Sequence, residues 1–155
     1  MSWERKQVGV EWVSFEVPEI VGKQRPRSTH AGGAFRTYTP RKTLEAEEAI
    51  RGAWLKQVGD CWAGFEGTVE LQVLFQRQLA KSNPKFWAGR SDTGKPDVDN
   101  ALKTTLDALN GLAFKDDQQV TRIEAIKDER KPHGWGNRIT VVARYYQETY
   151  RKGQP

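Results

Sequence analysis

Hydrophobic and polar residues alternate with a period of two in four stretches of the chain, which predicts β-strands with one buried face. The clearest case has Val69, Leu71, Val73 and Phe75 at every second position. The four predicted strands cover residues 12–17, 68–78, 120–127 and 138–146.

Two other stretches carry apolar residues at helical spacing. The first covers residues 40–58, begins with Pro40 at the first helical position and ends before Gly59. The second covers residues 99–110 and is followed by Gly111, a strong stop signal. These features are typical of helix ends.

The order strand, helix, strand, helix, strand, strand predicts a small α+β domain with a mixed sheet of about four strands and two main helices. One domain is expected to fill residues 1–155. Residues 1–11 form an N-terminal extension, residues 18–40 and 81–96 form polar loops, and residues 147–155 form a frayed or short helical tail.

Composition narrows the class of protein. No apolar run has the length of a membrane span, and the N-terminus lacks the apolar segment of a signal peptide. Cys61 is the only cysteine, which excludes an intrachain disulfide, and we expect it to be a small buried residue at a helix end. These properties favour a cytoplasmic protein without a membrane association.

The net charge is +5, and its distribution is uneven. Basic residues dominate two segments, residues 23–42 and 81–95, whereas the acids concentrate elsewhere. Basic loops around an acidic pocket are typical of enzymes that attract phosphates and hold a metal. On composition alone, an ordinary solvated charged surface is the slightly better explanation.

Four carboxylates flank the second predicted helix. Asp97 and Asp99 precede it or begin it, two residues apart, so an extended backbone points both to the same side. Asp116 and Asp117 follow it. Capping explains Asp99 by itself, and a turn explains the second pair, but neither explains Asp97.

The two pairs can meet only if the chain turns back after the helix. Twelve helical residues span about 18 Å, and the segment from Gly111 to Asp117 covers about 23 Å if nearly extended. Carboxylates gathered at one place would repel each other by about 4 kcal/mol per pair at a separation of about 4 Å. Mg²⁺ or Mn²⁺, which prefer oxygen ligands, would relieve this repulsion.

Lys103 lies four residues after Asp99 and therefore on the same side of the helix. Its ammonium group could stabilise charge on a phosphate, or it could simply pair with Asp99 or with Asp107, which otherwise reads as a buried hydrogen-bonding residue. From spacing alone, a metal-dependent phosphodiesterase and a helix with acidic ends remain equally good interpretations.

The complete string is more specific than its parts. KPDVDNALKTTLDALNGLAFKDDQQV, residues 95–120, resembles the core motif of the RusA family of Holliday-junction resolvases: D-x-D-N, a lysine four residues after its second aspartate, D-A-L and D-D-x-Q-V. KQRPRSTHAGGAFRTYTPRKTLEAEE, residues 23–48, is similar to that family's N-terminal region. The likeness extends from about residue 15 to residue 145.

This resemblance implies a homodimeric endonuclease that cuts four-way DNA junctions symmetrically with Mg²⁺, for which Mn²⁺ substitutes. Asp97, Asp99 and Asp117 match the family's essential acids, Lys103 matches its critical lysine, and Asp116 is expected as a further metal ligand or support. Asn100 and Gln119 match motif positions without a clear role. A bacterial or prophage origin is also implied.

DNA contacts follow from the same reading. The cations of the two basic segments become candidate phosphate contacts: Arg25, Arg27, Lys81, Lys85, Arg90 and Lys95. A two-fold symmetric dimer would present two equivalent sites to two opposed strands.

Two alternatives belong to other classes. A DNA-binding module without chemistry would need no metal. A small phosphohydrolase acting on nucleotides is disfavoured, since no phosphate-binding glycine loop occurs and neither His30 nor His133 is near the acids in sequence.

Overall fold

A computed structural model of the protein describes residues 1–152, and its centre is a mixed four-stranded sheet. Strands β1 (Ser2–Val17), β4 (Thr68–Gln76), β5 (Val120–Lys127) and β6 (Asn137–Arg151) lie in the order β1-β6-β4-β5. The β1–β6 and β6–β4 pairs are antiparallel, and the β4–β5 pair is parallel. The predicted mixed sheet and α+β class are confirmed.

Only one face of this sheet is fully buried. The alternation predicted for β4 places Val69, Leu71, Val73 and Phe75 in the core, each at most 2% exposed. The inward positions of the neighbouring strand β6 are Ile139, Val141, Ala143 and Tyr145. This burial fixes the register, because a slip by one residue would turn every apolar side chain outward.

Two helices lie against the buried face. Helix α1 (Arg41–Gln57) contributes Thr43, Ile50 and Trp54 to the interior. Helix α2 (Val98–Leu109) contacts both α1 and β5. Among residues 1–152, no helix has the length and apolarity needed to cross a membrane.

The buried side of α2 is made of small and hydroxyl-bearing residues: Ala101, Thr104, Thr105, Ala108 and Leu109. The Thr105 hydroxyl donates to the Ala101 carbonyl at 3.0 Å, which satisfies its polar atom inside the helix. Leu102 and Leu106 are partly buried and pack against the core.

The prediction of a loop over residues 18–40 is wrong in its second half. Strands β2 (Arg27–Ala31) and β3 (Ala34–Tyr38) form a separate antiparallel hairpin. Its turn uses Gly32 and Gly33, both with positive φ. Residues 27–30 and 34–38 of the hairpin are all exposed, so this part of the sequence lacks the alternation that reveals a strand.

The two ends of the chain form one long ribbon. The β1–β6 ladder runs from Ser2 opposite Arg151 to Val17 opposite Asn137. Residues 1–11 therefore belong mainly to a strand, and the expected helical or frayed tail is wrong as far as Arg151. Residues 153–155 lie outside the described residues. The outer half of the ribbon extends beyond the core, so its side chains are exposed and its sequence lacks the alternation that predicts a strand.

Cys61 is exposed, contrary to expectation. It lies in the turn after α1, where its neighbour Trp62 takes the interior position instead. The Trp62 ring stacks on Tyr145 at 3.9 Å between ring centroids. Trp62, partly buried against the core, is thus the residue that packs inward next to Cys61.

The chain does not return from α2 in an extended form. Leu112, Ala113 and Phe114 are buried in a compact turn after Gly111. The Gly111 amide donates to the Phe114 carbonyl at 2.9 Å, and the Tyr145 hydroxyl donates to the Ala113 carbonyl at 2.7 Å. Burying these side chains shortens the path towards Asp117.

Gly67 offers a test of the packing beneath this turn. A Cβ at Gly67 would lie 2.3 Å from the Tyr146 carbonyl oxygen, a backbone atom that cannot move independently. We expect Gly67→Ala to lower the free energy of unfolding by about 1–3 kcal/mol, as overpacking does. Gly64→Ala, whose Cβ would have no neighbour within 4 Å, is the control. Equal denaturation midpoints for the two variants would contradict this packing.

Candidate active site

The first acidic pair stands at the start of α2 with its side chains in solvent. Asp97 occupies the N-cap position and Asp99 the first turn. The Asp97 carbonyl accepts the Ala101 amide at 3.0 Å, but its carboxylate makes no capping hydrogen bond. Asp97, and not Asp99, therefore holds the N-cap position, and capping does not explain the Asp97 carboxylate.

One exposed side of α2 continues this pair. Lys103 and Asp107 follow Asp99 at intervals of four residues, and all three are exposed. Within residues 1–152, Lys103 forms no ion pair with either aspartate. Asp107 instead pairs with Lys23 at 2.7 Å, which corrects both expectations for Asp107, a Lys103 partner or a buried group.

Lys23 is a site residue that sequence reasoning missed. Its Nζ also contacts Glu47 at 3.1 Å, and its backbone amide donates to the Asn100 carbonyl at 3.0 Å. The hydrogen bond to Asp107 is the main reason that the pKa of Lys23 is raised, although burial opposes it. The neighbouring Gly22 lies close to the loop before α2: a Cβ there would be 2.8 Å from the Cβ of Pro96.

The second acidic pair is held by a capping box. Asp116 precedes a short 3-10 helix, Asp117–Gln119, and its carboxylate accepts the Gln118 amide at 3.1 Å. The Gln119 side chain accepts the Asp116 amide at 2.9 Å and donates to the carbonyls of Phe65 and Gly67. Gln119 therefore has a structural role, which is to attach the acidic pair to the loop before β4.

The two carboxyl groups of this pair differ electrostatically. The hydrogen bond to Asp116 raises the pKa of Asp117, and burial together with the charges of Asp116 and Asp107 raises it further. The Gln118 amide, with the hydrogen bond to Asp117, lowers the pKa of Asp116. Asp116 thus holds its charge more firmly, and Asp117 retains a proton to higher pH.

The charge of Asp107, in the last turn of α2, is one of the causes that raise the pKa of Asp117. Within residues 1–152, no three His, Cys, Asp or Glu side chains are arranged to hold a metal ion. The acids therefore stand as two separate pairs. Their oxygen donors fit the preference of Mg²⁺, and the exposed carboxylates of Asp97 and Asp99 are free to bind one.

A basic cleft of about 750 Å³ borders Asp97. Lys81 and Lys95 line it, together with Lys42, Arg77 and Arg130. Two of the six candidate DNA contacts, Lys81 and Lys95, are therefore brought next to the first acidic pair.

The other four candidate DNA contacts lie apart from this cleft. Arg25 precedes β2 and Arg27 begins it. Lys85 starts a short 3-10 helix, Lys85–Trp87, and the Arg90 guanidinium lies over the Trp87 ring at 4.6 Å.

Asp116 should determine the titration of Asp117. In Asp116→Asn, the neighbouring negative charge is lost, so we expect the pKa of Asp117 to fall towards its ordinary value. Carbon-13 NMR titration of the carboxyl groups measures this directly. Asp60→Asn, a change at an exposed residue of another turn, should leave Asp117 unaltered. An unchanged Asp117 pKa in the Asp116 variant would contradict the described hydrogen bond.

Comparison with known proteins identifies a family for this chain. The family model described as endodeoxyribonuclease RusA matches residues 18–142, which include both acidic pairs, Lys103 and the basic cleft. The chain is also 31% identical over 117 residues to the uncharacterized protein YqaN of Bacillus subtilis (strain 168), covering 70% of this chain and 81% of that protein. The chain therefore belongs to the RusA endodeoxyribonuclease family.

Proposed function

We propose that this protein is a divalent-metal-dependent endonuclease that resolves four-way DNA junctions by paired, symmetric cuts, in recombination and repair. Membership of the RusA family supports nuclease activity on junction DNA. The observation that carries the assignment of the site is the exposed Asp97–Asp99 pair, whose cap carboxylate is not used for capping.

The four acids and Lys103 of the motif each have a role in this proposal. Asp97 and Asp99 would bind the cation, and Asp117, the motif's third acid, would join them only if the second acidic pair approaches the first, because no three acids of the described residues are grouped around one point. Asp116 would be a further ligand or a support for Asp117. Bound Mg²⁺ would activate a water and neutralise charge that develops on the phosphate, and Mn²⁺ would substitute for it. Lys103, exposed on the same side of α2, donates to a phosphate oxygen and stabilises its negative charge in the transition state.

The basic cleft beside Asp97 would receive the DNA backbone. Lys81 and Lys95 line it and contact phosphates there, which positions the strand without reading its bases. Arg25 and Arg27, at the entry to the β2–β3 hairpin, and Lys85 and Arg90, beside Trp87, extend this contact surface. The cations of the two basic segments would then contact phosphates of the junction on either side of the acidic residues.

A homodimer would supply the second cut. Apolar side chains are exposed on the sheet face opposite the helices, including Val10 at 47%, Trp12 at 63% and Ile126 at 45%. Covering them with a second copy would remove this apolar area from water. The two-fold axis would then present two equivalent acid sites to opposed strands.

We propose that the protein acts in the cytoplasm of a bacterium and is encoded by the bacterial chromosome or by a prophage, in line with the Bacillus relative.

Cleavage of an immobile four-way junction tests the proposal first. We expect paired symmetric nicks with Mg²⁺ or Mn²⁺, none without metal, and none on a linear duplex. Asp97→Asn and Asp117→Asn should each abolish cleavage while junction binding persists, because each removes a charged ligand and leaves the DNA-binding cations in place.

Asp60→Asn is the matched control and should cut normally. Cleavage by Asp97→Asn at the wild-type rate would show that the site is assigned wrongly. Junction binding without cleavage by the wild-type protein in either metal would favour a DNA-binding module without chemistry, in which the acids support the fold or a partner.

The cleft makes a separate prediction about salt. Lys81→Ala and Lys95→Ala should each weaken junction binding and lower the slope of log K against log salt by about 1, the change expected for one lost phosphate contact. Lys6→Ala, on the distant β1–β6 ribbon, should change neither quantity. Filter binding or fluorescence anisotropy over a series of salt concentrations measures both. Equal slopes for all three variants would place the DNA elsewhere.

A further inference from the structure

The polar loop that leads into Asp97 contains a buried carboxylate. The Asp92 side chain is 0% exposed, and no other acidic or basic residue of the described chain is buried. A buried charge is costly unless it is paired and hydrogen-bonded. The surroundings of Asp92 therefore indicate what this loop is built to hold.

Three cations surround Asp92. Arg77, just beyond β4, donates to both carboxylate oxygens, with Nε 2.6 Å from Oδ2. Lys127 at the end of β5 lies at 3.8 Å, and Arg130 lies at 3.9 Å. Each of these side chains is less than one-fifth exposed. Asp92 thus joins the ends of the two parallel strands to the loop.

The same cations also hold the backbone before Asp97. Arg77 Nη1 donates to the Lys95 carbonyl, and Lys127 Nζ donates to the Gly94 carbonyl. The Gly94 amide in turn donates to Asp92 at 3.3 Å. The backbone is therefore fixed to within two residues of Asp97.

The electrostatics agree with this geometry. Burial alone would raise the pKa of Asp92, but the hydrogen bonds and charge of Arg77, the charge of Lys127 and the Gly94 amide together lower it. The carboxylate therefore stays charged. Without that charge, the three cations would repel one another in a poorly solvated space.

We propose that Asp92 is a positioning residue: through Arg77 and Lys127 it fixes Gly94 and Lys95, and thereby sets the place of the Asp97 carboxylate. The inference rests on the function proposed above. Asp92 touches neither DNA nor metal in this role. Its loss should slow the chemical step more than it weakens junction binding, because the backbone that carries Asp97 becomes free to shift.

Asp92→Asn tests this with two measurements. We expect the amide nitrogen-15 order parameters of residues 93–95 and of Asp97 to fall from about 0.85 to below about 0.6 in the variant. We also expect single-turnover cleavage at saturating junction and Mg²⁺ to slow about 100-fold, the effect of a misplaced catalytic group. The dissociation constant for the junction, measured with Ca²⁺ in place of Mg²⁺, should change far less than the cleavage rate, because Lys95 keeps its charge.

Asp128→Asn is the matched control. Asp128 is also an ion-paired carboxylate near the end of β5, bound by Lys131 at 2.9 Å and Gln76 at 3.0 Å. Both variants lose an ion pair, so both should melt at a lower temperature. Only the Asp92 variant should lose order at residues 93–97 and cleave slowly, whereas a purely structural role would give two variants with normal rates.

Arg77→Lys keeps the positive charge but loses the guanidinium that donates to both Asp92 and the Lys95 carbonyl. If Asp92→Asn does not fold, this variant should show the same loss of order and the same slow cleavage. Unchanged order parameters, or a wild-type rate, in the folded variant would overturn the inference while the wild-type protein still cleaves junctions. A wild-type protein that cleaves no junction would instead overturn the proposed function, and the order parameters would still show whether Asp92 anchors the loop.

Discussion

A single hydrophobic layer between one face of the sheet and the two helices determines where the candidate site residues stand. Helix α2 turns its small and hydroxyl-bearing side into this layer, and Thr105 satisfies its hydroxyl on the helix's own backbone. The opposite side must then face solvent. That side carries Asp99, Lys103 and Asp107, so the packing of the core by itself exposes the charged groups that the proposed chemistry needs.

The second acidic pair depends on the same layer through a different route. Phe114 is pinned in the core, Tyr145 holds the Ala113 carbonyl, and Gln119 holds the loop before β4. Each contact fixes the backbone close to Asp116. The position of Asp117 is therefore set by buried groups on both sides of it, although Asp117 itself is exposed.

The sequence predicted the parts of the fold that are buried on one side. The start of β4 was predicted correctly and both helices were placed within two residues, because alternation and helical spacing record which positions face the core. The bounds of β5 were also predicted correctly, although none of its side chains is fully buried. The hairpin and the outer half of the β1–β6 ribbon were missed, since strands without a buried face lack that record. The acidic pairs were found from their motif, but their spatial relation was not predicted.

The predicted path by which the second acidic pair could return to the first was wrong for a specific reason. The expected return path assumed a nearly extended chain after Gly111, whereas three buried residues compress it into a turn. Lys23 was missed for a similar reason: its contacts with Glu47 and Asp107 join two helices that are distant in sequence. Such contacts arise from packing between elements, and no local period in the sequence encodes them.

Two aspartates five residues apart illustrate how the chain uses charge. Asp92 is buried and surrounded by three cations. Its charge is neutralised by the ion pairs that join the loop to the ends of β4 and β5. Asp97 is exposed, and its carboxylate caps nothing. A carboxylate already neutralised by arginine is a poor ligand for a cation, whereas an unpaired one keeps its full affinity. The ion-paired Asp92 therefore supports the position of the unpaired Asp97. The charge of Asp92 is compensated by its cations, whereas the charge of Asp97 is left uncompensated and able to bind a metal.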